Sequence, residues 1–360
     1  MSSMWGRNIR ISIFGESHGK AIGATIDGLP SGVFLDMDKI DALMQERAPG
    51  RTPWSTPRKE IDRVDIISGL NDGYTAGTPL TGLIHSYNKK STDYEKTKNI
   101  VRPSHADYTG NIRYKGYNII PGGGHFSGRL TAPLVFAGAV AMQILEKKGI
   151  SINARIYSIG QIKDDEIDYC KSFLDEHISD KSFPTVSNDA KEKMIDYILK
   201  CRAEKDSVGG VLEVVVNNMP AGIGSPIFDN LESNIASILF AIPAVKGVEF
   251  GEGFDIAKQN GSQANDEFEI FDGKVVTKTN KNGGILGGIS SGMPLVVRCA
   301  IKPTPSISLK QNTIDIEKME KVELEIKGRH DPCIVPRAIP VAKAAVALAI
   351  LDTYLSQLEI

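Results

Sequence analysis

Two segments of the chain are apolar on almost every face of a helix, and they constrain the fold more than any other feature. They run from Ala132 to Leu145 and from Pro340 to Leu355. A helix that is apolar all round has to be buried all round, in a protein core or in a membrane. The first segment is too short to span a bilayer, and Lys343 and Asp352 interrupt the second. Both are therefore predicted to be core helices covered by other layers.

The same order of sequence patterns occurs twice. The strand-like GKAIGATIDGLPSG precedes a helix-like segment at 36–47, and GGVLEVVVNNMPAG precedes another at 228–242. GTPLTGLI and GMPLVVRCAI follow as second strands, and an apolar helix closes each series. The repetition predicts one domain over 1–360, built of two similar halves at about 1–150 and 207–360. Chance recurrence of strand–turn–helix order stays open as the alternative.

A polar, charge-mixed stretch lies between the two halves. Its pattern from Asp164 to Asp206 predicts a helical connecting segment, about 160–206, made of two surface helices. The SFPTVSN turn would join them, with Ser187 or Asn188 capping the second. No chemistry is expected there, so Cys170, His177 and Cys201 are interpreted as structural.

Composition narrows the possible partners and the compartment. The 360 residues contain 42 Lys plus Arg against 44 Asp plus Glu, so the formal charge of −2 gives no footprint for nucleic acid or an anionic membrane. The four cysteines lack C-x-x-C spacing, which indicates reduced thiols and no metal site. The start of the chain shows no signal-peptide pattern, so a cytoplasmic location is predicted.

The stretch FGESHG (14–19) matches the G-x-S-x-G turn of α/β-hydrolases, in which a serine is the nucleophile. That turn requires a strand, a sharp turn and then a helix. Here IRISIF is followed by KAIGATIDG, which alternates like a second strand. The context therefore predicts a hairpin loop that presents Ser17 and His18, and a serine hydrolase is the alternative.

A second loop, PGGGHFSGRLT (121–131), precedes the first apolar helix. A glycine-rich turn at a helix N-terminus offers free N–H groups and the positive end of the helix dipole, which suit an anion. The spacing resembles a Walker A loop, but Arg129 and Leu130 replace the required Lys and Ser or Thr. An anion site is predicted, and a P-loop NTPase is disfavoured.

Histidines and arginines are concentrated in Gly/Pro-rich loops. Four of the six histidines lie in such loops beside Arg, Asp or Ser, namely His18, His105, His125 and His330. ERAPGRTPWSTPR adds three arginines, whose planar guanidinium groups bind carboxylate and phosphate bidentately. If these loops converge, the ligand is a small polyanion. Lys302, Thr304 and Ser306 of AIKPTPSIS are suited to a phosphate ester.

Eight of these motifs, taken in order, resemble those of the chorismate synthase family. They are GESHG, ERAPGR, RPSHADYTG, GGGHFSGRLTAP, IPAVKGVEFG, GGILGGISSGMP, IKPTPSI and GRHDPC, and they span nearly the whole chain. The resemblance implies an α+β fold, a β-α-β sandwich with an apolar helical core between two antiparallel sheets. It implies a lyase that converts 5-enolpyruvylshikimate 3-phosphate to chorismate by 1,4-anti-elimination of phosphate, with reduced FMN and no net redox change.

The resemblance also implies roles for individual residues. His18 would protonate the departing phosphate, His105 would stabilise the reduced flavin, and Asp331 with Ser17 would assist removal of the C6 proton through flavin N5. The substrate would be held by Arg47, Arg51, Arg102, Arg129 and Arg337. FMN would be contacted by His125, Phe126, Ser127, Ala244, Gly287, Lys302, Pro303, Thr304, Pro305, Ser306 and Arg329.

The remaining implications concern partners and departures from the family pattern. A homotetramer is implied, as are NADP and an external flavin reductase that supplies reduced FMN. Many members of the family have Gly where this chain has Ser104, and Arg where it has His125. The resemblance therefore leaves one contact to phosphate or flavin unassigned. A flavin- or anion-binding protein without catalysis is the non-enzymatic alternative.

Overall fold

The computed structural model describes residues 3–50, 52, 54–55, 62–86, 99–119, 121–326 and 330–357. The helices of this part of the chain are α1 (Met37–Arg47), α2 (Asp107–Arg113), α3 (Thr131–Glu146), α4 (Asn188–Ala203), α5 (Leu231–Leu239), α6 (Gly261–Ala264) and α7 (Val335–Leu355). The strands are β1 (Met4–Trp5), β2 (Arg10–Gly15), β3 (Ala21–Asp27), β4 (Asp65–Ser68), β5 (Leu70–Asn71), β6 (Tyr74–Thr75), β7 (Leu80–His85), β8 (Ser151–Ile159), β9 (Ile162–Lys163), β10 (Gly210–Asn217), β11 (Val245–Phe250), β12 (Phe268–Phe271), β13 (Lys274–Thr277), β14 (Ile285–Leu286), β15 (Ile289–Ser290), β16 (Leu295–Ile301), β17 (Gln311–Asp315) and β18 (Glu320–Leu324).

The two apolar helices form the central layer. Helices α3 and α7 pack against each other, α3 also packs on β3 and β7, and α7 packs on β8 and β10. A Cβ atom on Gly138 would lie 2.2 Å from the Cβ atom of Ala344, so glycine is what lets the two helices approach this closely. With the turn that precedes α3, the helical segments Gly128–Glu146 and Val335–Leu355 are long and apolar enough to cross a membrane, but most of each is buried inside the protein. The predicted α+β sandwich, with a helical core between two sheets, is confirmed.

Four strands of each five-stranded sheet are arranged in the same order. The first is β1-β2-β3-β7-β4 and the second is β11-β16-β10-β8-β9, and all neighbouring strands are antiparallel. The strands β2-β3-β7-β4 and β8-β10-β16-β11 both run first, second, fourth, third in chain order. Strand β8 is the first of the four corresponding strands in the second sheet, although residues 151–159 belong to neither predicted half. The division at 150 and 207 stays a prediction.

The connecting segment differs from its prediction. Only its second helix forms: α4 starts where the Ser187 side chain accepts from the N–H of Ala190 at 3.3 Å, whereas the first stretch holds a single 3-10 turn at Leu174–Glu176. Buried side chains hold that first stretch on the second sheet instead. Arg155, which is fully buried, donates to Asp164 at 3.1 Å and to Glu213 at 2.7 Å.

Candidate functional site

A cavity of about 660 Å³ lies where the central helices begin. Its walls include Thr131 at the start of α3, Ile334 just before α7, and Arg47 at the end of α1. The N-termini of α3 and α7 therefore face the same space. Because a helix N-terminus carries a partial positive charge, this position favours an anionic ligand.

The FGESHG stretch is the predicted hairpin loop. Strands β2 and β3 pair antiparallel up to Gly15 and Ile22, and no helix follows the turn. The Ser17 N–H donates to the carbonyl of Gly124 at 3.1 Å, and its hydroxyl donates to the carbonyl of Gly122 at 3.0 Å. Ser17 and His18 both line the cavity. The strand–turn–helix context of a nucleophile elbow is absent.

The Gly122–Gly124 turn brings backbone close to His18. Gly122 has φ +66°, and a Cβ atom there would lie 2.4 Å from Cδ2 of the His18 ring. Gly123 has φ +86°, but a Cβ atom there would meet nothing nearer than 3.7 Å. Both positions have left-handed backbone, which favours glycine. At Gly122 glycine is also required because a larger side chain would overlap the His18 ring.

The RPSH loop is held by an ion pair at the start of α2. The Asp107 carboxylate accepts from the Arg102 N–H at 2.9 Å and from its guanidinium at 2.7 Å through two nitrogens. Burial alone would raise the pKa of Asp107, but the bonds and charge of Arg102 outweigh it and lower that pKa. Ser104 follows in left-handed backbone at φ +59°.

His105 connects this loop to the KPTPS loop. Its Nδ1 lies 3.0 Å from the carbonyl of Pro103 and its Nε2 lies 2.8 Å from Ser306 Oγ. Burial, with the nearby charges of Arg102 and Lys302, lowers the pKa of His105. The ring is therefore neutral at neutral pH.

The KPTPS loop forms another part of the wall. Lys302 donates to the carbonyl of Ser104 at 2.8 Å, and its N–H donates to the carbonyl of Ala244 at 3.0 Å. Burial and the charge of Lys246 lower the pKa of Lys302. The Thr304 hydroxyl is buried and has no hydrogen-bond partner in the described part of the chain.

Three arginines and two aspartates meet beside the helix ends. Asp62, a fully buried residue that the sequence analysis does not identify, accepts from the guanidiniums of both Arg47 and Arg129. Asp331 accepts from Arg337, whose Nε donates to the Arg47 carbonyl at 3.2 Å. The predicted base Asp331 is thus ion-paired with a predicted substrate-binding residue.

Two of the predicted flavin contacts in the GGGHFSGR loop, His125 and Ser127, form hydrogen bonds within the protein. His125 has Ser3 Oγ 3.0 Å from Nε2 and the Gly15 carbonyl 2.8 Å from Nδ1. Ser127 caps the turn Gly128–Leu130 by accepting from the Arg129 N–H at 3.3 Å. Phe126 is 42% exposed. All three residues line the cavity.

Most of the predicted site residues are brought together, but not all. The cavity wall includes Ser17, His18, Arg47, Arg102, His105, His125, Phe126, Ser127, Arg129, Ala244, Lys302, Thr304, Pro305, Ser306, Asp331 and Arg337. Pro303 and Gly287 do not line it, and Gly287 lies in the turn between β14 and β15. Arg51 and Arg329 lie outside the described residues.

Sequence reasoning missed two further polar groups of the site. Asp62 is 15 residues from Arg47 and 67 from Arg129, so no local pattern connects it to either. Asn118 lines the cavity, and its side-chain oxygen is buried without a partner in the described ranges. Its place just before the glycine loop is the one available signal.

The charge of the wall is mainly positive. The described residues that line it include the cations Arg47, Arg102, Arg129, Arg337 and Lys302, against the carboxylates Asp107 and Asp331. A small polyanion would find several guanidinium groups within one cavity. Arginine binds carboxylate and phosphate oxygens in a bidentate manner, so this wall is suited to such a ligand.

Comparisons with known proteins agree with this geometry. Residues 9–355 match the family model described as chorismate synthase. The chain is 47% identical over 350 residues to chorismate synthase of Thermococcus gammatolerans, covering 97% of this chain and 96% of that relative. It is 45% identical over 348 residues to that of Methanothermobacter thermautotrophicus, covering 96% and 92%. A crystal structure of chorismate synthase matches with TM-score 0.77 and 28% identity, covering 98% of this chain and 94% of that one.

Proposed function

Because the chain belongs to the chorismate synthase family and has its function, we propose that its cavity binds 5-enolpyruvylshikimate 3-phosphate and reduced FMN together. The reaction is the 1,4-anti-elimination of phosphate to give chorismate. The observation that carries the proposal is that His18, His105, Arg129 and Asp331, drawn from four separate loops, line one cavity.

The substrate carries one phosphate and two carboxylates, and the wall of the cavity complements that charge. Arg47, Arg102, Arg129 and Arg337 are the candidates that bind these groups. Each charge-assisted hydrogen bond contributes about 1.5–3 kcal/mol. The N-termini of α3 and α7 add a favourable field for the same anion. Arg51 is proposed for the same role from its motif alone.

The residues present fit a flavin mononucleotide. The buried Thr304 hydroxyl and the buried Asn118 oxygen lack partners in the described chain, and unsatisfied polar groups of this kind are rare unless a ligand completes them. Phe126 offers an exposed ring, and Lys302 with Ser306 offers polar groups to a phosphate ester. When bound, reduced FMN supplies transient electron density to the substrate as phosphate leaves. Arg329, Gly287 and Pro303 are proposed contacts from the motif resemblance alone.

The chain's own residues hold and move protons. His18, held beside the Gly122 turn, is proposed to protonate the departing phosphate. His105 is fixed by Pro103 and Ser306 and presents a neutral ring that hydrogen-bonds without adding charge. Asp331 is oriented by Arg337 as a proton acceptor. Ser17 acts as an orienting group, since its hydroxyl donates to the Gly122 carbonyl.

The wider setting is also a proposal. Reduced FMN would come from an external flavin reductase that oxidises NADPH to NADP, the assembly would be a homotetramer, and the location would be cytoplasmic. The resemblance supports the reductase and the homotetramer, and the cytoplasmic location is proposed because the function of the family is biosynthetic. A serine hydrolase has no support, because Ser17 lies in a hairpin loop.

An anaerobic assay tests the function. The protein is mixed with chemically reduced FMN and 5-enolpyruvylshikimate 3-phosphate, and chorismate is followed by its absorbance. Chorismate should form with reduced FMN and not with oxidised FMN. Absence of chorismate under reducing conditions would refute the proposal.

Two histidine variants make that assay specific. His18→Ala should lower turnover by about 10²–10⁴, the usual effect of removing a general acid. His177→Ala is the control, because His177 is exposed, contacts Ser172 and lies outside the cavity wall. Equal rates for the two variants would contradict the role of His18.

A further inference from the structure

We propose that Asp62 is a positioning residue that holds the guanidinium groups of Arg47 and Arg129 in the arrangement that meets an anionic substrate. The inference rests on the proposed function of the cavity. Asp62 does not line the cavity, whereas both arginines do. It would therefore act through the arginines and not by contact with the ligand.

Asp62, Arg47 and Arg129 form an ion-pair network that is almost completely buried. One carboxylate oxygen of Asp62 accepts from Arg47 and the other accepts from Arg129. The side chain of Asp62 is 0% exposed, and those of Arg47 and Arg129 are 4% and 10% exposed. Two guanidiniums this close repel each other in a poorly hydrated space unless a carboxylate lies between them. Asp62 is that carboxylate.

Further bonds fix the arginine pair to the start of α3. Arg47 donates to Thr131 Oγ1 and to the carbonyl of Gly128, each at 3.2 Å. Arg129 belongs to the turn Gly128–Leu130 that leads directly into α3. Asp62 thus connects the end of α1 to the beginning of α3, at the edge of the cavity.

The variant Asp62→Asn separates orientation from charge. An amide has nearly the same size but provides one acceptor and one donor group, so its N–H₂ would face one of the guanidiniums. Losing a negative charge alone would strengthen the attraction for an anion. Losing the orientation of the arginines would weaken binding, which is the result expected here.

A matched control lies elsewhere in the chain. The side chain of Asp164 is also 0% exposed, accepts from Arg155 at 3.1 Å and from the N–H groups of Val186 and Ser187, and lies outside the cavity wall. Asp164→Asn should lower stability as Asp62→Asn does. It should leave ligand binding unchanged.

The experiment is a calorimetric titration of the wild-type protein and both variants with 5-enolpyruvylshikimate 3-phosphate and, separately, with inorganic phosphate. Asp62→Asn should weaken binding of both ligands by about 10–100-fold, the equivalent of one or two charge-assisted bonds. Asp164→Asn should stay within about twofold of the wild type, since its site is independent of the cavity. Binding by Asp62→Asn that is equal to or tighter than the wild type would overturn the inference, as would an equal loss in Asp164→Asn.

A second variant keeps the inference testable if Asp62→Asn does not fold. Asp62→Glu preserves the charge but displaces the carboxylate by one methylene in a fully buried position. Binding should still weaken, by about fivefold or more, because about 1 kcal/mol of bond geometry is lost. Unchanged binding would mean that only the charge matters and would overturn the positioning role. Absence of chorismate formation by the wild type would count against the proposed function, whereas the phosphate titration would still decide the role of Asp62.

Discussion

The Nε2 atom of His105 lies 2.8 Å from the Oγ atom of Ser306, which is 201 residues away in the chain. The Nδ1 atom of the same ring lies 3.0 Å from the Pro103 carbonyl. In the neutral ring Nδ1 must carry the proton, because a carbonyl only accepts, so Nε2 accepts from the Ser306 hydroxyl. This bond joins the RPSH loop to the KPTPS loop and fixes one wall of the cavity.

The lowered pKa of His105 predicts a pH dependence of stability. Its ordinary value is 6.5, and burial with the charges of Arg102 and Lys302 lowers the pKa in the folded protein. Below pH 6.5 the unfolded chain binds a proton that the folded chain excludes, so the free energy of unfolding falls as pH decreases toward the folded pKa. Denaturant titrations between pH 5 and 7.5 should show this loss in the wild type and a smaller loss in His105→Gln. Identical pH profiles for the two proteins would contradict the lowered pKa.

The close approach of Gly122 to His18 predicts that an added methyl group displaces the imidazole. Gly122→Ala places a Cβ atom 2.4 Å from the ring, whereas Gly123→Ala meets nothing within 3.7 Å. Both variants carry the strain of left-handed backbone, about 1 kcal/mol. Turnover should therefore fall much further in Gly122→Ala than in Gly123→Ala, at similar thermal stability. Equal turnover would show that His18 does not need its present position.

The Thr304 hydroxyl, which has no hydrogen-bond partner among the described residues, predicts a ligand contact without a stabilising role. Thr304→Val should leave the free energy of unfolding nearly unchanged and weaken FMN binding by about fivefold to tenfold, the worth of one hydrogen bond. Thr75→Val is the control: the Thr75 hydroxyl donates to the Pro30 carbonyl at 2.6 Å and accepts from the Val33 N–H at 2.9 Å. That control should lose about 1–3 kcal/mol of stability and keep its FMN affinity. Chemical denaturation and flavin fluorescence titration measure the two quantities, and unchanged FMN affinity in Thr304→Val would contradict the contact.

Arg155, Glu213 and Arg298 lie on neighbouring strands of the second sheet, and their ion pairs predict a stability effect that is separate from catalysis. Glu213 is fully buried and accepts from Arg155 and Arg298, each at 2.7 Å. Burial alone would raise the pKa of Glu213, but the two guanidiniums outweigh it and lower that pKa. Glu213→Gln should reduce the free energy of unfolding by about 3–5 kcal/mol, because Arg155 and Arg298 each lose the buried carboxylate that is nearest to them. Turnover at low temperature should persist, since none of the three residues lines the cavity. Loss of turnover in the folded variant would contradict this separation.

The parts of the fold that the sequence predicted well are those with strong local patterns. Helix α1 follows Asp36, whose side chain caps it, and the apolar residues on almost every face mark α3 and α7 as core helices. The second of these begins at Val335, before the predicted Pro340. Pro336 occupies its first turn, where proline is tolerated, and Pro340 lies inside the helix. The GESHG hairpin follows from its two alternating strands.

The failures concern contacts between distant residues. The first half of the connecting segment was predicted as a helix from its charged, polar pattern, but the Arg155 network holds it against the sheet. Asp62 was missed because its partners Arg47 and Arg129 become neighbours only after α1 and α3 pack together. Gly287, which the motif resemblance groups with the flavin contacts, lies in the turn between β14 and β15 and does not line the cavity of this chain. Its contact with FMN stays a prediction.

The central claim is that one cavity, lined by loops from the whole length of the chain, receives both the flavin and the phosphorylated substrate. A crystal structure of the protein with FMN and 5-enolpyruvylshikimate 3-phosphate tests it most directly. Both ligands should lie in the cavity of about 660 Å³. Substrate phosphate or carboxylate oxygens should lie within about 3 Å of the Arg129 guanidinium. Ligands bound elsewhere, with His18, His105, Arg129 and Asp331 in contact with neither, would contradict the claim.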